Sequence, residues 1–106
     1  MLTPKPPLFS SCPVAVVGAG DLASHLYRSD DVNDADNYHY SVFRFMDSGA
    51  TTQNFRPADL RDIVKLCHVL AFEIATDGCI PGKTRDQLQE LVNQLDAITQ
   101  KWSDDV

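Results

Sequence analysis

A chain of 106 residues supports one hydrophobic core and is expected to form a single domain, residues 1–106. Its composition, 43% hydrophobic and 23% charged, suits a globular protein, and no apolar run approaches the roughly 20 residues that span a bilayer. A net charge of −6 argues against nucleic-acid binding, which needs a basic face to displace counterions, and against docking on an anionic membrane.

Residues 1–13 read as an extended arm punctuated by proline, with Leu8 and Phe9 placed to dock on the body and residues 1–7 mobile. Lys5 offers a thin basic region, but Pro4, Pro6 and Pro7 break any apolar stretch behind it. No secretory leader is therefore expected, and the cytoplasm is the default location. Val14–Val17 is short, β-branched and bounded by Pro13 and Gly18, which predicts a buried strand. Asp21–Arg28 suits two helical turns, with Asp21 as cap and Leu22 and Leu26 facing inward at i,i+4. Ser29–Asn37 is an acidic loop. Residues 21–50 hold six aspartates against Arg28 and Arg44, so much of the negative charge gathers there.

Tyr38–Met46 is the strongest strand signal, rich in aromatic and β-branched residues and closed by Asp47-Ser48-Gly49. Alternation puts Tyr38, Tyr40 and Val42 on one face and His39, Ser41, Phe43 and Phe45 on the other. Both faces are partly apolar, so cover on both sides is expected. Ala50–Arg56 reads as a polar loop of small residues, and the polar groups of Ser48–Arg56 could line a small pocket.

The region from Pro57 to Trp102 predicts a helical hairpin. Pro57 fits a first-turn position, and Asp59 and Asp62 complement the positive end of the helix dipole. Leu60, Ile63, Val64, Cys67, Leu70, Ala71 and Ile74 recur at helical spacing, and Leu66, Val69 and Phe72 add a second apolar stripe. This first helix is therefore expected between the second helix and the sheet. Gly78 suits the left-handed stop, and Pro81 blocks continuation. Thr84-Arg85-Asp86-Gln87 matches a capping box opening the second helix, whose stripe is Leu88, Leu91, Val92, Leu95, Ile98 and Trp102. The short connection favours an antiparallel pair.

Two motifs suggest chemistry. Val14-Ala-Val-Val-Gly18-Ala-Gly20-Asp-Leu-Ala23 resembles the dinucleotide fingerprint of Rossmann-type oxidoreductases, in which a glycine turn leads into a helix whose N-terminus faces the pyrophosphate. The resemblance implies Asp47 as the ribose ligand. Asp47 follows Gly20 by 27 residues against the usual spacing of about 20, Asp21 opposes a pyrophosphate, and no further parallel strands follow. Gly78-Cys-Ile-Pro-Gly82-Lys83-Thr84 resembles a Walker A P-loop, but Asp77 stands where the first glycine belongs, and Pro81 removes a backbone donor. Lys83 and the amides near Thr84 could still hold a phosphate at a helix N-terminus.

Other constellations are weaker. His25, His39 and His68 are scattered, and Cys67 and His68 point about 100° apart on one helix, so no metal site is assigned. The odd set Cys12, Cys67 and Cys79 is not a disulfide framework. The run from Asp30 to Asn37 departs from an EF-hand at Ala35 and Asp36, and no serine sits in a nucleophile elbow.

These readings converge on an α+β fold: a small two- or three-stranded sheet packed on a C-terminal antiparallel helical hairpin. An open two-stranded sheet would leave an exposed edge, which points to completion by a second copy of the chain. The expected function is a non-enzymatic acidic interaction or regulatory module, homodimeric or bound to another protein, with no cofactor. The alternative is a small-ligand or nucleotide-binding protein, enzyme or not, built on Gly18, Gly20, Arg56, Gly82, Lys83 and Thr84.

Overall fold

The computed structural model describes residues 13–28 and 37–104. The arm with Leu8 and Phe9, Cys12 and the acidic stretch 29–36 lie outside the described residues. In chain order the elements are β1 (Ala15–Ala19), β2 (Leu22–Arg28), β3 (Tyr38–Phe45), β4 (Thr51–Thr52), a 3-10 turn (Pro57–Asp59), α1 (Leu60–Asp77) and α2 (Gly82–Asp104). The fold is α+β, as expected, but the sheet has four antiparallel strands in the order β1-β2-β3-β4.

The additional strands come from two segments with misleading local patterns. Asp21–Arg28 is not helical. Leu22 and Leu26 do face inward together, but an i,i+4 pair shares a face in a strand as well as in a helix. The residue that separates the two periods is Ser24, buried between them at 0% exposure. A polar residue at an interior position hides the alternation. Its hydroxyl has no hydrogen-bond partner among the described residues. The second addition, β4, comes from the predicted loop at residues 50–56, where two threonines pair with Arg44 and Phe45. β2 also lies between the two strands predicted from sequence, so β1 and β3 never pair directly.

β1 and β2 are joined by Gly20-Asp21, a two-residue hairpin connection closing on the pair Ala19 and Leu22. Gly20 has φ 58°, matching the hairpin turns that want glycine at the first central position. A methyl group there would lie 2.2 Å from the Asp62 carboxylate, so both the backbone and the neighbour demand glycine.

One face of the sheet is covered. Leu22 and Leu26 of β2 meet Leu66, Leu70 and Ile74 of α1, with Ile80 closing the end, and Val17, Val42 and Ile63 pack around them. On its other side α1 packs along α2, so α1 lies between the sheet and α2. Val92 of α2 is buried, and the Arg61 guanidinium sits 5.0 Å from the Trp102 ring, tying the start of α1 to the end of α2. The pair is thus an antiparallel hairpin.

The helix stop is as anticipated. Gly78 is left-handed, and its N–H bonds to Ile74 O at 2.9 Å. The start of α2 is earlier than anticipated, at Gly82 rather than Thr84. The Pro81 carbonyl accepts from Arg85 N at 3.0 Å, which places Thr84 inside the first turn instead of at the cap. A carboxylate at a helix entrance appears instead on Asp59, which accepts from the Arg56 backbone N–H at 2.8 Å.

Truncating Leu26→Ala, at 0% exposure, is expected to cost about 2–5 kcal/mol, whereas Leu60→Ala, at 61% exposure, should cost less than about 1 kcal/mol. Urea unfolding followed by circular dichroism would measure the difference. Gly20→Ala should destabilise by more than the ~1 kcal/mol of a simple positive-φ substitution, because the Asp62 carboxylate must also move.

Candidate interaction surface

The residues singled out from sequence fall into two groups at opposite ends of α1. The Gly18–Asp21 hairpin and Arg56 come together, since Arg56 Nη2 lies 3.5 Å from Asp21 Oδ2. Gly82, Lys83 and Thr84 open α2, just beyond the other end of α1. The 18 residues of α1 separate the groups by about 27 Å at the helical rise. The two groups therefore do not line one cleft.

At the first end Arg56 is engaged by carboxylates. Its Nη2 bonds Asp59 Oδ1 at 2.8 Å and its Nε bonds Asp59 Oδ2 at 3.2 Å, a forked pair. Arg44 adds a second guanidinium at 3.4 Å from Asp59 Oδ2. Asp59 itself is only 2% exposed. The side-chain and backbone hydrogen bonds from Arg56 hold its carboxyl down to about 2, against the desolvation that opposes its charge. The position a pyrophosphate would take at a nucleotide turn faces Asp62 and Asp21, and the segment after the turn is strand rather than helix. The cluster joins the sheet to the start of α1.

The second end is closed by a different network. Arg28 Nη1 donates to Asp77 Oδ2 at 2.6 Å, and the Tyr38 hydroxyl donates to the same oxygen while accepting from Cys79 N at 3.1 Å. Burial opposes charge on Asp77, but the hydrogen bonds from Tyr38 and Arg28 outweigh it and leave the carboxyl below its ordinary value. Burial and the Asp77 carboxylate together push the Tyr38 hydroxyl upward. Buried Asn37 donates through Nδ2 to the Cys79 carbonyl. The turn that resembles a P-loop is thus bound to β2 and β3 through side chains.

Among the described residues no three His, Cys, Asp or Glu side chains gather as a metal site would require. A shallow groove of about 430 Å³ runs between the helices on Val69, Phe72 and Val92, rimmed by His68, Asn93 and Asp96. His68 Nε2 and Asp96 Oδ1 stand 3.9 Å apart across it.

The feature that sequence reasoning missed is the outer face of the sheet. The strand registers place Val16, Gly18, Ala23, His25, Tyr27, His39, Ser41, Phe43, Phe45 and Thr51 on the side away from α1. This face was expected to be covered near residues 42–45. Both described helices instead lie on the opposite side, and Val16 and Phe45 are 63% and 48% exposed. His25 stacks edge-on against Phe43 at 5.4 Å and Tyr27 at 6.4 Å, and Phe43 against Phe45 at 5.5 Å. Among the described residues the strands place no Asp, Glu, Lys or Arg on this face, although the chain carries −6. The Tyr38–Met46 alternation held half of this signal; the other half lay in Tyr27 and His25, hidden by the helical reading of β2.

Because the Asp59 carboxyl is held below its unfolded value, the Arg56–Asp59 pair adds stability above about pH 4 and loses it as pH falls toward about 2. Asp59→Asn should lower the melting temperature at pH 7 and flatten its decline across that window, as followed by thermal unfolding at stepped pH. No protein-family model, curated protein or solved structure matches this chain, so the functional reading rests on its own geometry.

Proposed function

We propose that the chain is a non-enzymatic interaction module that self-associates, two copies packing face to face through the outer surface of the sheet. The observation that supports this reading is an uncharged, aromatic sheet face on a strongly acidic protein. Contiguous exposed apolar surface of this kind marks interaction sites in globular proteins. Sheets stacked face to face bury such surfaces at about 10 Å separation.

Charge orients a contact between two copies. Two chains of −6 repel, and the encounter with least repulsion brings together faces whose described residues include no carboxylate. A basic partner would find its complement elsewhere, on the acidic parts of the chain. A twofold axis through the face makes the contact self-complementary, Phe45 and Val16 of each copy meeting the aromatic cluster of the other. Roughly a dozen residues a side is fewer than the 20–30 of a standard interface, so the reading calls for a reversible dimer rather than an obligate one.

Val16 and Phe45 are both largely exposed, so Val16→Lys combined with Phe45→Lys should leave the fold intact while placing like charges across the twofold. Sedimentation velocity over a concentration series should show a monomer–dimer equilibrium for the natural chain and a monomer for the double variant. A natural chain that stays monomeric at several hundred micromolar would remove the reading.

A further inference from the structure

We propose that this dimer, resting on the self-association reading above, holds a divalent metal ion of the zinc type between its two sheets, coordinated by His25 and His39 of each copy. The two histidines are remote in sequence, and the β2–β3 ladder brings them together. His25 stands opposite Ser41 and His39 opposite Tyr27, so the pair occupies diagonal positions on the outer face. Residues in that relation lie about 7–8 Å apart, close enough for long side chains to meet. His25 is half-buried and His39 is exposed. Imidazole is the commonest metal ligand among side chains and suits zinc, copper and nickel.

One copy supplies half of a site. Structural zinc is almost always held by four ligands, and among the described residues no three His, Cys, Asp or Glu side chains gather within one chain. A twofold axis between the packed sheets brings the other two histidines. The distances agree. Sheets face each other at about 10 Å, so a metal on the axis stands about 5 Å from each and about 4 Å to the side of each histidine. That places it roughly 6 Å from each Cα, the reach of an extended histidine whose ring nitrogen bonds zinc at about 2 Å. A metal-bound imidazole uses one nitrogen and offers the other to a partner. His39 has an interaction of its own, and Tyr27 and Ser41 stand on the crossing diagonal with hydroxyls that accept an imidazole N–H. Charge favours the arrangement as well. A divalent cation where two chains of −6 meet offsets part of their repulsion.

Sedimentation velocity of the full chain, in EDTA and with saturating zinc chloride, reads the proposal directly. Zinc should lower the dimer dissociation constant about tenfold or more, and calorimetric titration should give roughly one zinc per two chains. His25→Gln and His39→Gln should each abolish that gain, with circular dichroism confirming an intact fold. His68→Gln should keep it, because His68 lies on the hairpin beside Asp96. Cobalt in place of zinc should show visible ligand-field absorption without the thiolate charge-transfer band that Cys67 or Cys79 would add. A natural chain that dimerises in EDTA and ignores zinc would overturn the metal site while leaving self-association standing. Zinc binding of equal strength to the Val16→Lys, Phe45→Lys double variant would overturn it too, since one copy would then suffice. A chain monomeric under both conditions would remove the site and the self-association reading together.

Discussion

The contact on which the rest of this structure depends is the seam between β2 and α1. Leu22 and Leu26 project from one strand, and Leu66, Leu70 and Ile74 from one face of one helix. β1 and β3 pair on either side of β2, and α2 packs on α1 rather than on the sheet. Each peripheral element thus attaches to a member of the central pair. Burying such side chains contributes about 1.5–3 kcal/mol each, which makes this short seam the main apolar contribution in a small domain.

Two polar networks hold the orientation of that seam. Arg56, Arg44 and Asp59 join the sheet to the start of α1, and Arg28, Tyr38 and Asp77 join it to the end. A leucine seam by itself tolerates sliding, because apolar contact is non-directional. Charge-assisted hydrogen bonds are directional, so the forked Arg56–Asp59 pair beside Arg44 at one end and the bonds of Arg28 and Tyr38 to Asp77 at the other set the register of α1 on the strands. The same arrangement explains why the candidate ligand residues separate. Arg56 serves one closure, and the turn before Gly82 is bound into the other.

The seam also leaves a consequence on the opposite side of the sheet. Both described helices lie on one face of the sheet. Neither described helix covers the other face, where Phe45 is exposed and His25, Tyr27 and Phe43 are half-buried. A described sheet face of this kind, free of charged side chains on an acidic chain, is the observation behind the proposed self-association.

The helical hairpin was legible in the sequence because its signals are local. Apolar residues from Leu60 to Ile74 repeat with the helical period, Gly78 can turn left-handed, and Pro81 cannot continue a helix. The same held for β3, whose aromatic and β-branched residues alternate. β2 was not legible, since Leu22 and Leu26 satisfy both periods and Ser24 conceals the one that applies. Only pairing with β1 and β3 decided it, by supplying partners for backbone groups that a two-turn helix would have left half unsatisfied. The open aromatic face followed from that decision. Whether a face is covered depends on where other elements pack, and no residue of β3 carries that information by itself.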